Sequence, residues 1–447
     1  MTKQSLIFKR KMYDRMLRWK NERDRGTALL IQGARRIGKS TLAEEFAKRE
    51  YKSYLLIDFS TASPEVFKLF DDLSDLNYTF FRLQIIYHVQ LIERKSVIIF
   101  DEVQLCPKAR QAIKHLVRDH RYDYIETGSL ISVRKNSANI VIPSEETKVD
   151  MFPMDYEEFK WALGDTATIP LLRTAFDRRM ALGDGAHRQM MRDFRLYMLV
   201  GGMPQAVAEY IETNNLSAVD LVKRDILSLY EEDFNKLDKS GTAAAMFDAI
   251  PGQLSKNAAR FQAYAISGIT TDKITPIINA MSDSMTTNVA YHSNDPNIGL
   301  AISKDNEKFK IYVGDTGLFI TLAFKDKDFT DNEIYNKLLN DKLGTNMGYV
   351  YENVIAQMLR ASGKQLYYHT IPIENGKKYY EVDFVIADGH KVSAIEVKSS
   401  GYKTHASLDA FCRKYSGRIN NKYLIYTKDL RRIEDINYIP VYMTMFL

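Results

Sequence analysis

The chain has 447 residues, 45% apolar and 27% charged, with a net charge of +5 and a pI near 8.7. This is the composition of an ordinary globular protein, long enough for roughly three domains at about 150 residues each. No apolar run approaches the roughly 18 residues a membrane span needs.

Residues Met1–Arg10 lack the apolar core of a secretory signal. The two cysteines, Cys106 and Cys412, stand far apart and read as buried thiols rather than a disulfide. The expected compartment is therefore the cytoplasm, with no membrane partner. The mildly basic balance suits nucleic acid without requiring it.

In chain order, Lys9, Arg10, Lys11, Arg15, Arg18, Lys20, Arg23 and Arg25 crowd a first helix striped by Met12, Met16 and Trp19. They read either as a phosphate-contacting patch or as the solvated face of a packed helix. Ala28–Gln32 follows as a buried strand. Gly33-Ala34-Arg35-Arg36-Ile37-Gly38-Lys39-Ser40 then matches G-x-x-x-x-G-K-[ST], and Thr41–Ala47 continues as a helix. Strand, loop and helix in that order are the context of a phosphate-binding loop. Glycines let successive N–H groups face one anion, and the helix start adds its positive dipole end. Lys39 is expected on the β- and γ-phosphates of ATP, and the Ser40 hydroxyl on Mg²⁺.

Tyr54–Asp58, Val97–Phe100 and Tyr124–Thr127 read as further strands alternating with helices, which predicts a parallel sheet. The third strand ends in Asp101 and Glu102. Asp101 is expected to hold Mg²⁺ through water, and Glu102 to orient or deprotonate the attacking water. Thr127 or Ser129, beside that strand, would sense the γ-phosphate or simply close a strand-end turn. Arg35, Arg36 and Arg134 are the arginines nearest these elements, and none is assignable as a finger.

Residues 150–235 read as largely helical. Ile274, Ile277, Ile278 and Met281 recur at helical spacing, and Thr287–His292 and Phe309–Val313 read as strands. Helices followed by a hairpin suggest a winged helix. Toward the C-terminus, Asp383 lies in Tyr379–Ile386, and Glu396 and Lys398 share one face of Val392–Ser400. Two carboxylates and a lysine would converge there, the carboxylates to bind Mg²⁺ and the lysine to position water near a phosphodiester. Glu352, on the helix Tyr349–Arg360, could join them; Tyr351, Val354, Ile355 and Met358 form that helix's buried stripe. Lys377, Lys378, Lys391, Lys403, Arg413, Lys414 and Arg418, interleaved with Tyr379, Tyr380, Tyr402 and Tyr415, suit DNA or a solvated surface equally.

Six segments together resemble a known family: Gly33–Thr41, Phe100–Gln104, Thr127–Ser129, Phe152–Phe159, Gly201–Val207 and Lys310–Leu318. They look like prokaryotic AAA-type ATPases carrying a C-terminal DUF4143 domain. The resemblance implies an α/β multidomain chain. An ASCE-class P-loop core would span 1–150, a helical lid 151–235, a winged helix 236–335, and a restriction-nuclease-like domain 336–447. Gly202-Met203-Pro204 is similar to an element of AAA-related signalling ATPases in which the proline touches the nucleotide. Glu352, Asp383, Glu396 and Lys398 are similar to the PD-(D/E)xK set, with Val382 where proline often precedes the aspartate. The implied activity is Mg²⁺-dependent ATP hydrolysis coupled to DNA binding or cleavage, in a chain that could form a homo-oligomer. The alternative is an ATP-driven switch, or a signalling or defence ATPase, with an inert nuclease-like domain.

Overall fold

The computed structural model describes residues 6–22, 26–128, 144–256, 258, 260–262, 271–325, 339–340, 348–373 and 378–447. Ser129, Arg134, Arg23, Arg25 and Lys377 lie outside them. The chain divides into two compact units. One is Met1–Phe152 with Asp283–Met285; the other is Pro153–Ser282 with Thr286–Leu447.

In the first unit, α1 (Met12–Glu22) precedes β1 (Ala28–Gln32), α2 (Lys39–Glu50), β2 (Ser53–Asp58), α3 (Pro64–Leu69), α4 (Leu76–Tyr87), β3 (Ser96–Asp101), α5 (Pro107–Asp119), β4 (Asp123–Gly128) and β5 (Glu146–Asp150). All five strands are parallel, in the order β2-β3-β4-β1-β5. Strand alternation sorts the core. Leu30, Leu55, Ile57, Ile98, Phe100 and Tyr124 point to one face, where Val66, Phe80, Leu83, Ala109, Ile113 and Leu116 cover them. Because that sheet is buried, its strands read as continuous apolar runs. β5 is too polar to read this way: Glu-Thr-Lys-Val-Asp pairs with β1 as an edge strand. The stripe Met12, Met16 and Trp19 is buried as expected.

Arg10 departs from the expected basic patch. It precedes α1, is buried, and donates to Ile37 O at 2.8 Å and Phe152 O at 2.6 Å.

The second unit opens with five helices: α6 (Tyr156–Ala162), α7 (Thr168–Asp177), α8 (Asp184–Val200), α9 (Pro204–Thr213) and α10 (Leu216–Leu237). α11 (Thr242–Ser255) and α12 (Thr271–Asp283) follow, then β6 (Thr287–Ser293), β7 (Lys304–Val313), α13 (Thr316–Ala323) and α14 (Gly348–Ala361). The chain ends with β8 (Tyr367–Pro372), β9 (Tyr379–Asp388), β10 (Lys391–Lys398), α15 (Ala406–Lys414), β11 (Ile419–Tyr426), β12 (Arg431–Ile433) and β13 (Ile436–Pro440).

These eight strands make one mixed sheet, ordered β12-β13-β11-β10-β9-β8-β6-β7. The β6–β7 hairpin, expected to stand as the wing of a separate domain, pairs parallel to β8 through Tyr291 and His292 and so extends the C-terminal sheet. Ile274, Ile278 and Met281 are buried along α12.

Candidate functional sites

The glycine loop joins β1 to α2. A Cβ on Gly33 would come within 2.4 Å of Met151 O, so no larger residue fits that approach. Gly38 caps α2 at φ 89°, and Arg36 holds φ 68°. Non-glycine residues take that left-handed conformation only when the surroundings impose it. The Arg10 hydrogen bond to Ile37 O supplies part of that constraint. Arg10 carries no signal beyond one basic residue among many.

Lys39 is 7% exposed and donates to Gly33 O at 3.1 Å and Ala34 O at 2.8 Å. Burial pulls its pKa down to about 8 against the opposing pull of Glu102 and Asp101. Ser40 Oγ donates to Asp101 Oδ1 at 2.7 Å. Thr127 Oγ1 donates to the same oxygen. The strand pairings β3–β4 and β4–β1 place these tips side by side. Glu102, next along, holds φ 51° and accepts from Gln104 Nε2. Gln104, two residues along the same segment, is a partner of Glu102 that the strand pattern does not announce. Arg35 is part-buried; Arg36 and Thr41 are exposed.

Below this site lies a buried trio that the sequence pattern hides. Glu126 is fully buried in β4, and Arg110 grips Glu146 at 3.0 and 3.1 Å. Burial, then the Glu146 charge, holds the Glu126 carboxyl well above the usual range.

In the second unit, Glu352, Asp383, Glu396 and Lys398 do gather. Lys398 Nζ pairs with Glu396 Oε1 at 2.8 Å, and Glu396 Oε2 accepts Leu408 N–H at 2.9 Å. Asp383 Oδ2 accepts Val397 N–H at 2.7 Å. Glu352 faces Lys310, Asp383, Glu381 and Lys398; burial first pushes its carboxyl up to about 8. Burial likewise raises Asp383, Glu381 and Glu396. Two members were missed. Lys310, nearly buried, meets Glu381 Oε1 at 2.5 Å. Alternation puts Glu381 and Asp383 on one face of β9, and Lys310 and Tyr312 on one face of β7, but does not pair the two strands' faces.

The expected metal triad is not assembled as such. Among the described residues no three His, Cys, Asp or Glu side chains are placed to hold a metal. Glu381 and Glu396 pair with lysines, and Asp383 and Glu396 accept backbone N–H groups. Tyr415, expected as a stacking surface, is 4% exposed, and its OH meets His369 Nε2 at 3.1 Å. Lys391, Lys403, Arg413 and Lys414 are exposed. Pro204 opens α9 in the second unit.

Residues 25–160 match the AAA domain family. Residues 347–443 match a domain of unknown function, DUF4143, and residues 191–328 match another, DUF8612. The chain carries an AAA domain and a DUF4143 domain. The AAA match supports nucleotide binding and ATPase-type activity in general. DUF8612 joins the latter helices to the β6–β7 hairpin, across the boundary expected near residue 235.

No curated protein matches the chain. Among solved structures it is similar to PCH-2 of C. elegans at 13% identity and a TM-score of 0.29, covering 48% of this chain and 69% of that one. Cdc6p from Pyrobaculum aerophilum matches at 13% identity and a TM-score of 0.25, covering 77% and 97%. Protein VC1899 from Vibrio cholerae matches at 8% identity and a TM-score of 0.17, covering 94% and 95%. No described helix is long and apolar enough to cross a membrane.

Proposed function

We propose that the AAA domain binds ATP with Mg²⁺ and hydrolyses it, and that its cycle governs engagement of nucleic acid by the second unit. The observation carrying the first part is the shared oxygen of Asp101, which accepts from both Ser40 and Thr127. Hard oxygen donors converging beside a phosphate loop fit Mg²⁺. When bound, that ion neutralises charge on the β- and γ-phosphate oxygens. The chain's residues do the rest. Lys39 exchanges two loop carbonyls for phosphate oxygens. Backbone N–H groups of residues 33–40 cradle the anion at the start of α2. Glu102, aimed by its left-handed backbone and steadied by Gln104, orients the attacking water and accepts its proton. Thr127 is positioned to register the γ-phosphate through Asp101. Pro204 as the residue that couples nucleotide to the second unit rests on the resemblance alone.

ATP turnover measured with and without Mg²⁺, in the native protein and in Asp101→Asn, tests this reading. Turnover that needs no Mg²⁺, or that survives the substitution, would refute it.

For the second unit the geometry favours binding over metal-dependent cleavage. Glu381 and Glu396 pair with Lys310 and Lys398, and among the described residues no three His, Cys, Asp or Glu side chains are placed to hold a metal. Incubating the protein with duplex, branched and single-stranded DNA in Mg²⁺ or Mn²⁺, beside Asp383→Ala, decides the matter. Cleavage lost in the variant would restore the nuclease reading.

A further inference from the structure

A cleft of about 550 Å³ opens between α8 and the loop that follows β11. It lies at the carboxyl ends of β10 and β11, which run parallel, the end of such sheets where ligands enter. Lys398, the last residue of β10, is in register with Tyr426, which lines the cleft. At the other end Arg195 Nε meets the hydroxyl of Tyr351 at 3.4 Å, and Tyr351 precedes Glu352. The cleft is thus bordered at Tyr426 by the strand end that carries Lys398, and at Arg195 by the helix that carries Glu352.

Its walls are cationic and aromatic. Arg188, Arg195, Lys428 and Arg431 face two carboxylates, Asp184 and Asp429. Asp429 is already committed: its two oxygens accept the N–H groups of Leu430 and Gly183, each at 2.7 Å. Arg431 is exposed and lies over three tyrosines, with 5.2 Å to the Tyr402 ring, 5.5 Å to Tyr426 and 4.7 Å to Tyr438. A guanidinium held this way keeps its donors while its plane is supported. Tyr402 and Tyr426 meet edge to face at 5.4 Å.

We propose that this cleft is a subsite for a single-stranded nucleic acid, seating one or two nucleotides and leading the backbone toward Lys398. This rests on the reading that the second unit engages nucleic acid, and it names where. Cations track the phosphates, and the exposed Arg431 plane beside the half-buried Tyr402 ring, backed by the buried Tyr426 and Tyr438, gives bases a sequence-tolerant stacking surface. The volume falls in the small-ligand range and is far too small for a duplex.

The test is fluorescence anisotropy of a labelled twelve-residue oligothymidylate with the full chain, in EDTA so that no metal-dependent step intervenes. Arg188→Ala, on an exposed turn of α8, should weaken binding about threefold to tenfold and lower the salt slope by about one. Arg431→Ala should weaken it about tenfold or more, through loss of charge and stacking support together. Lys236→Ala, which removes an exposed cation of α10 that does not line the cleft, should bind as the native chain does, so a general loss of charge and loss of the subsite are read separately. Thymidine monophosphate should compete only at far higher concentration. Unchanged affinity in both arginine variants, equal binding of duplex, or equal competition by an oligoglutamate peptide would each overturn the proposal, as would no binding at all.

Discussion

Asp315 joins two distant loops: its Oδ2 accepts the N–H of Gly202 at 2.6 Å, while its Oδ1 caps α13 through Leu318 N–H at 2.9 Å. Gly202 O in turn accepts Met154 N–H at 2.7 Å. Tyr197 OH donates to Met154 O at 3.0 Å and accepts from Gln357, whose Oε1 accepts from Thr316. Lys223, fully buried, closes the joint on Leu199 O at 2.7 Å. Three segments read separately in the sequence thus meet at one hydrogen-bonded centre beside α14.

Gly202→Ala should therefore be severely destabilising. A Cβ there would lie 2.1 Å from Met154 O, which is backbone and cannot swing aside. A loss of about 3 kcal/mol or more in urea unfolding is expected. Asp315→Ala should cost about 2–4 kcal/mol, because it strands two N–H groups and removes the carboxylate facing buried Lys223. A shift under about 1 kcal/mol in either would show that the joint adds little.

At the nucleotide site, Asp101→Asn should lower turnover by about 10²-fold or more while leaving the fold intact, since an amide still accepts from Ser40 and Thr127. Ser40→Ala should raise the Mg²⁺ requirement without matching that loss. A rate steady to within about threefold in Asp101→Asn would remove Asp101 from the chemistry.

The phosphate loop and the β3 tip were legible because local order carries them: a glycine pattern between a buried strand and a helix means one thing. Strand alternation likewise placed Asp383, Glu396 and Lys398 together. Pairings between distant segments were not legible. Nothing local announces that Lys310 neutralises Glu381, or that Arg10 folds back onto Ile37. Nor does the β6–β7 hairpin show that it extends another sheet, because its alternation is the same in either arrangement. Tyr415 misled for the same reason: its composition suits a surface, yet its partner is His369, 46 residues away.

Lys39 gives a pH signature for nucleotide binding. Its folded pKa lies at about 8, below the ordinary 10.5, because burial penalises the charged form. A bound polyphosphate restores the preference for charge. Below pH 8 the lysine is protonated with or without nucleotide, so affinity should be flat. Above pH 8 binding must take up a proton, and affinity should fall by up to about tenfold per pH unit. Titration calorimetry in two buffers of different ionisation heat, from pH 7 to 9.5, would measure that uptake. No uptake at pH 9 would mean the lysine is not placed on phosphate.

Glu352 should give the second unit a stability that likewise falls as pH rises. Its folded pKa, raised to about 8 from 4.5, means the native state holds a proton that the unfolded chain releases. The stabilisation is complete below about pH 4.5 and is lost as pH rises through 8. The facing groups are two lysines, Lys310 and Lys398, and two carboxylates, Glu381 and Asp383, so the ionised form enters a site whose cations are already shared. Glu352→Gln keeps the shape and cannot ionise. The variant should match the native protein near pH 5 and exceed it by about 4 kcal/mol near pH 8.5, with Glu396→Gln as the comparison. Urea unfolding at the two pH values reads the difference directly. A native profile that runs parallel to that of Glu352→Gln would show that this carboxyl is ionised throughout, and that the lysines outweigh its burial.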